Sequence, residues 1–187
     1  MPIAFVSPPE EILTKDLVIR RYRREDALAL HESITTSTDH LRPWMAWIKF
    51  EPQTIDQRQD LIDEWNSHWR EGTDFTMGVF QKGEFVGGTG LHFRGDIDVV
   101  EIGYWIDVRY IRRGFAQQIV EALTVSAFSQ WAHITRVEVR VDINNKKSSA
   151  VAERSGFTLD GRSERSPLAP GEQGVLLHWI KRRNANG

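Results

Sequence analysis

One junction narrows the choice of fold more than anything else in the chain. The run VVEIGYWIDV (99–108) is almost continuous in β-type residues, whereas FAQQIVEALTVSAFSQW (115–131) repeats its apolar residues every three or four positions. Between them lies RYIRRGFA (109–116), in which Arg109, Arg112 and Arg113 surround Gly114. A strand therefore turns at a glycine directly into an amphipathic helix.

Such a turn has chemical as well as geometric consequences. The first N–H groups of a helix lack intrahelical partners and carry the positive end of the peptide dipoles, which suits a phosphate. Gly114 removes the Cβ that would obstruct a bulky anion, while Arg112 and Arg113 add charge-assisted donors. A diphosphate is the expected occupant. The spacing is neither GxxxxGK[S/T] nor GxGxxG, which weighs against a nucleoside triphosphate or a dinucleotide. Taken alone, the hexamer also fits a tight turn whose arginines face water.

Patterning elsewhere supplies a sheet for this junction. Strands are expected at 17–21, 75–80, 84–93, 99–108, 136–142, 157–162 and 175–180. Helices are expected from Asp26 through Ala27, Leu30 and Ile34, over 54–70 with a Thr54/Gln57 capping box, over 115–131 and over 146–155. Consecutive strands followed by strand, helix, strand, helix and strand imply an α/β fold, an α+β mixed sheet in one domain covering residues 1–187. That length suffices for one well-buried core.

Composition excludes several functions. The absence of cysteine rules out disulfides, thiolate metal sites and a cysteine nucleophile, and no metal is expected. A net charge of −2 gives no global attraction to nucleic acid or an anionic membrane, and no apolar run reaches bilayer length. The start MPIAFVSPPEEILTKD lacks the basic and apolar regions of a secretory signal, so the cytoplasm is the expected location. The basic clusters RRYRR (20–24) and KRR (181–183) read as solvated charge.

Taken in order, EIGYWID, RRGFA, a long helix, VEVRVD and NNKKSSAVAERSGF resemble the GNAT superfamily of acetyl-CoA-dependent N-acetyltransferases. More narrowly they are similar to the branch that acetylates ribosomal proteins at their N-terminal amines, the RimJ/RimL type. LVIRRYRREDALAL and LRPWMAW strengthen the likeness, which spans about residues 15–180. It implies a GNAT fold of about seven mostly antiparallel strands flanked by about four helices. It also implies acetyl-CoA as cofactor, an amine acceptor as partner, and a homodimer. The diphosphate of coenzyme A would rest on Arg113, Gly114, Phe115 and Ala116, with Arg112 as a salt partner. The pantetheine arm would pair with the strand end Ile106, Asp107 and Val108, Asn145 would hydrogen-bond it, and Ser148 would approach the sulfur. The sequence departs from the family pattern at three places. Ile111 replaces a polar residue, Arg112 stands where glycine is common, and Ala152 occupies the position of a proton-donating tyrosine.

Acetyl transfer requires a neutral amine. An α-amine has a reference pKa of about 7.7–8.0 against about 10.4 for lysine, so neutralising lysine at pH 7 costs about 3–4 kcal/mol more. A weak base therefore suffices for an N-terminus, and Glu101 on the EIGYW strand is the first candidate, acting through water. Glu164 is the competing carboxylate, with His92 and His178 behind it. Each has a plainer alternative, an ion pair for the glutamates and a satisfied structural role for the histidines. Ser148 is expected to assist the leaving thiolate, although a serine there could equally cap its helix. A backbone N–H near Ile106 is expected to meet the oxyanion. Trp44, Met45, Trp47 and Phe50 either wall the acceptor site or belong to the core. The expected reaction is acetylation of a protein N-terminus. Acetylation of a small amine such as a polyamine, amino acid or antibiotic, and a non-catalytic coenzyme A-binding module, remain alternatives.

Overall fold

The structure, a computed structural model, describes residues 7–184, so the first six residues read for a leader lie outside it. Strand β1 (Glu11–Leu13) and β2 (Val18–Arg21) precede helices α1 (Ala27–Leu41) and α2 (Ile55–Glu71). Strands β3 (Asp74–Gln81), β4 (Glu84–His92) and β5 (Val99–Ile106) follow as a meander. Helix α3 (Phe115–Gln130), β6 (Arg136–Asp142), α4 (Lys146–Arg154), β7 (Thr158–Glu164) and β8 (Val175–Arg182) complete the chain. The eight strands form one sheet in the order β1-β2-β3-β4-β5-β6-β8-β7, and β5–β6 is its parallel pair. This is the expected mixed α/β sheet with one strand more, because three-residue β1 is too short to show a period of two.

Period-two alternation divides the sheet into two apolar faces. Phe75, Met77, Leu91, Val100, Ile102, Val137 and Val139 pack beneath Ile119 and Leu123 of α3. On the opposite face Tyr22, Phe80 and Phe85 meet Leu30 and Ile34 of α1 and Ile62 of α2. The β3–β4 ladder carries a one-residue bulge: Phe80 pairs with Phe85, Val79 pairs with Gly87, and Val86 is the extra residue.

Several local expectations are corrected. Helix α1 runs to Leu41, past the weak formers TTST, because two hydroxyls on its inner side bond the end of β5. Ser33 Oγ donates to Asp107 at 2.6 Å, and Val108 N–H donates to Ser37 Oγ at 3.0 Å. Strand β5 stops at Ile106, since Asp107 accepts the Arg109 N–H and opens a 3-10 turn, Val108–Tyr110. The basic clusters are not simply solvated. Arg20 makes two 2.8 Å bonds to Asp26, and Arg183 donates to the carbonyls of Phe128, Trp131 and Ile134, closing the C-terminal end of α3. The Thr54/Gln57 capping box of α2 is present as expected.

Candidate active site

The sheet opens at its parallel pair. β5 and β6 are bonded only over residues 99–101 against 136–138, after which they part. The N–H of Asp107 donates to Val86 of β4, so by the alternation of an antiparallel ladder the backbone groups of Ile102, Tyr104 and Ile106 face the opposite, open edge. Unpaired backbone at such a split is a place where an extended ligand can add as a strand.

At the near end of the split stands the arginine turn. Its three arginines are not equivalent. Arg109 is committed to Asp107, whose buried carboxylate also accepts from Ser33. Arg113 lies over the Tyr110 ring at 4.9 Å and donates to the Arg109 carbonyl, and Arg112 is exposed. Neither Arg112 nor Arg113 has an acidic partner among the described residues. Gly114 caps α3 with φ +76°, and nothing lies within 4 Å of where its Cβ would be. Arg112 also has positive φ, +62°, which supplies a backbone reason for the glycine common at that position. No side chain caps α3, so the N–H groups of Phe115 and Ala116 point into the open turn.

Asp107 and Val108 do less here than expected. The Asp107 N–H and carbonyl are bonded to Val86 and Tyr110, its carboxylate is fully buried, and the Val108 N–H is taken by Ser37. Burial alone would push the Asp107 carboxyl up, but its hydrogen bonds with Arg109 and Ser33 hold it below the usual carboxylate range. Asp107 braces the turn. Of the three residues, Ile106 is the one whose backbone faces the split.

On the α3 side of the split, α4 contributes two polar groups. Asn145, not Ser148, caps α4: its Oδ1 accepts the Ser148 N–H at 3.2 Å, and its Nδ2 has no protein partner among the described residues. That leaves the Ser148 hydroxyl for Tyr104, whose phenol lies 2.7 Å away. Burial pushes the Tyr104 phenol up to about 12, so it stays protonated and able to donate at neutral pH. Tyr104 was not among the expected site residues. Its signal was parity, because it shares a strand face with Ile106. Ala152 is buried and contributes no polar group.

A cavity of about 610 Å³ runs through the split, reaching Tyr104, Asn145 and Ser148 on the one side and an aromatic wall on the other. Trp44, Met45, Trp47 and Phe50 line it, together with Trp65 and Trp105, and Met45 and Trp47 also pack on the second apolar cluster. All four thus line a cavity, and two of them also belong to the core. The loop joining β7 to β8, invisible in the sequence as a site element, forms a further wall through Arg165 and Glu172, and its Gly171 N–H donates to the Pro43 carbonyl. The sheet surface below is glycine, with Gly88 and Gly103 lining the cavity and Gly90 lying under the His92 ring, and His92, Glu101 and Arg140 stand along one end. Glu101 lies 3.5 Å from the Arg140 guanidinium, which also bonds Glu138 at 3.0 Å. His178 is spent, with Nδ1 on Glu138 and Nε2 on Ser163. Glu164 sits at the exposed end of β7 and does not line the cavity.

Known proteins share this architecture. A family model described as an acetyltransferase (GNAT) domain matches residues 16–158. The Bacillus subtilis protein YdaF is 26% identical over 168 residues, covering 89% of this chain and 91% of that protein. The ribosomal-protein-serine acetyltransferase of Escherichia coli is 26% identical over 133 residues, 71% of this chain and 73% of that protein. Among solved structures, RimL, a ribosomal L7/L12 α-N-protein acetyltransferase in complex with coenzyme A, superposes with a TM-score of 0.82 at 20% identity, covering 92% of this chain and 98% of that one. The microcin C7 self-immunity acetyltransferase MccE, in complex with acetyl-CoA and AMP, does so with a TM-score of 0.85 at 19% identity, covering 97% and 99%.

Proposed function

Because the chain belongs to the GNAT acetyltransferases and takes its acetyl group from acetyl-CoA, we propose that its acceptor is the N-terminal α-amine of a ribosomal protein. One observation carries the reading: the cavity that runs through the split between β5 and β6 has hydroxyl groups on one side and an aromatic wall on the other. A thioester lying in the split would show its sulfur to the first and its carbonyl carbon to the second.

The residues divide the work accordingly. The N–H groups of Phe115 and Ala116, together with Arg112 and Arg113, hold the diphosphate, and Gly114 keeps the approach open. The backbone of Ile106 pairs with the pantetheine arm, the Asn145 Nδ2 donates to one of its carbonyls, and the Val108 side chain flanks it. An inward N–H at this strand end meets the developing oxyanion. Ser148 donates to the departing sulfur and is itself supplied by Tyr104. A thiolate with a pKa near the cysteine value of about 8.5 needs no stronger acid. On the acceptor face, the Glu101 carboxylate, 3.5 Å from Arg140, is the countercharge for the ammonium form of the amine.

The likeness to the E. coli ribosomal-protein-serine acetyltransferase supports a protein N-terminus as acceptor. The test is thiol release from acetyl-CoA with peptides whose N-terminal residue is serine or alanine, with mass spectrometry of the product. Acetylated peptide is the expected result. Turnover with free amines alone would replace the protein acceptor by a small molecule, and tight acetyl-CoA binding without any turnover would replace the enzyme by a binding module.

A further inference from the structure

We infer that His92, oriented by Asp74, is the group that removes the proton from the attacking amine. This rests on the acetyl-transfer reading above and adds to it the general base. The two histidines on this face of the sheet differ in what their nitrogens do. His178 has both engaged, whereas His92 has Nδ1 at 2.8 Å from each carboxylate oxygen of Asp74 and no protein partner for Nε2 among the described residues. An imidazole whose Nδ1–H is held by a carboxylate keeps its lone pair on Nε2.

The position of that lone pair is set by glycines. A Cβ on Gly90 would meet His92 Cε1 at 2.6 Å and Nε2 at 2.7 Å, so the ring lies directly on the glycine floor. Nε2 stands 3.4 Å from the corresponding point above Gly103, the residue before Tyr104, and so lies over β5 on the cavity face of the sheet. His92 also lines the aromatic-walled cavity. The charged groups around it are Asp74 on β3, Arg94 just beyond β4, Glu101 on β5 and Arg140 on β6. Burial raises the Asp74 carboxyl, but the His92 hydrogen bond and charge, then Arg94 and Thr76, hold it below the usual range, so it remains an acceptor. Glu101, already shared with Arg140, supplies countercharge to the ammonium.

The amine nitrogen forms a bond to the acetyl carbon as the carbonyl π pair moves onto oxygen, and the nitrogen's proton passes to Nε2. The imidazolium is neutralised by Asp74. The carbonyl re-forms, the C–S bond breaks with its electron pair on sulfur, and the departing thiolate is stabilised by the Ser148 hydroxyl, held by Tyr104, until it takes a proton from water. His92 then releases its proton to water.

The test compares wild type, His92→Gln and Asp74→Asn with acetyl-CoA and a peptide whose N-terminal residue is serine, with acetyl-CoA affinity measured by calorimetry as the check on folding. Both variants should bind acetyl-CoA normally and lose about 100-fold in kcat/KM. In acid, wild-type kcat/KM should fall more steeply than that of His92→Gln, which keeps only the dependence set by the amine. Free imidazole should restore part of the rate of His92→Ala. An unchanged rate and acid limb in His92→Gln overturn the base while leaving acetyl transfer standing. A wild type that binds acetyl-CoA but acetylates no amine overturns the acetyl-transfer reading, and the base assignment with it.

Discussion

Gly90→Ala moves the His92 ring without touching its chemistry. The new Cβ would lie 2.6 Å from Cε1 and 3.1 Å from the Phe75 carbonyl, against about 3.5–4.0 Å for relaxed carbon contacts. The ring must retreat by about 1 Å, which stretches the Nδ1 contacts with Asp74 beyond hydrogen-bonding range. A lost hydrogen bond to a charged group costs about 1.5–3 kcal/mol, overpacking adds about 1–3 kcal/mol, and replacing glycine in a strand returns about 0.5–1 kcal/mol. Allowing for partial relaxation, a net loss of about 2–3 kcal/mol is expected, a Tm drop of about 5–10 °C for a chain of this size. A displacement of this size should cost about 100-fold in kcat/KM. Gly103→Ala is the control, because its Cβ would be 3.4 Å from Nε2, a contact the ring can absorb. Circular dichroism gives Tm, calorimetry the acetyl-CoA affinity, and peptide acetylation the rate. A Gly90→Ala protein that melts and turns over like wild type refutes the placement of the imidazole on the floor.

Gly114→Glu should abolish calorimetric acetyl-CoA binding while the fold survives, because the position is open and the substituent opposes the diphosphate in shape and charge; unchanged affinity would remove the turn from the binding site. Ser148→Ala should lower kcat with nearly unchanged acetyl-CoA affinity, since Asn145 and not Ser148 caps α4; wild-type turnover would exclude Ser148 from thiolate release. Stability should decline in acid. Asp74, Asp107, Glu138 and Asp142 titrate lower in the folded than in the unfolded chain, because hydrogen bonds and neighbouring cations outweigh burial. The unfolded state therefore binds more protons. Stability is complete above the unfolded carboxyl values of about 4 and is lost as pH falls through the native ones. Urea midpoints from pH 7 to about pH 3 read this directly, and a flat series would contradict it.

The sequence carried the elements well wherever a period was sustained. The 115–131 helix, the capping box at Thr54 and the meander of β3 to β5 are all where alternation and turn residues put them. The site was legible where one short stretch holds it, as at Arg112 to Ala116. It was not legible where two distant stretches make it. Counting outward from the β3–β4 turn sets Asp74 opposite Leu91, and the extra Val86 shifts the partner to His92. Likewise Asp107 and Val108 read as binding residues because the family resemblance lays the pantetheine arm on their strand end, and the hydroxyls that engage them, Ser33 and Ser37, come from α1, some seventy positions earlier. The polar TTST stretch gave no sign that tertiary bonds would keep it helical.

The grip of α1 on the end of β5 ties two distant seats together. Ser33 and Ser37 hold Asp107 and Val108 just ahead of the arginine turn, and the same helix ends at Leu41, immediately before Pro43 and the tryptophans of the cavity wall. The proposed donor and acceptor seats thus bear on the same C-terminal stretch of one helix. Whatever factor an occupied donor seat imposes on the acceptor's affinity, thermodynamic reciprocity requires the acceptor to impose in return.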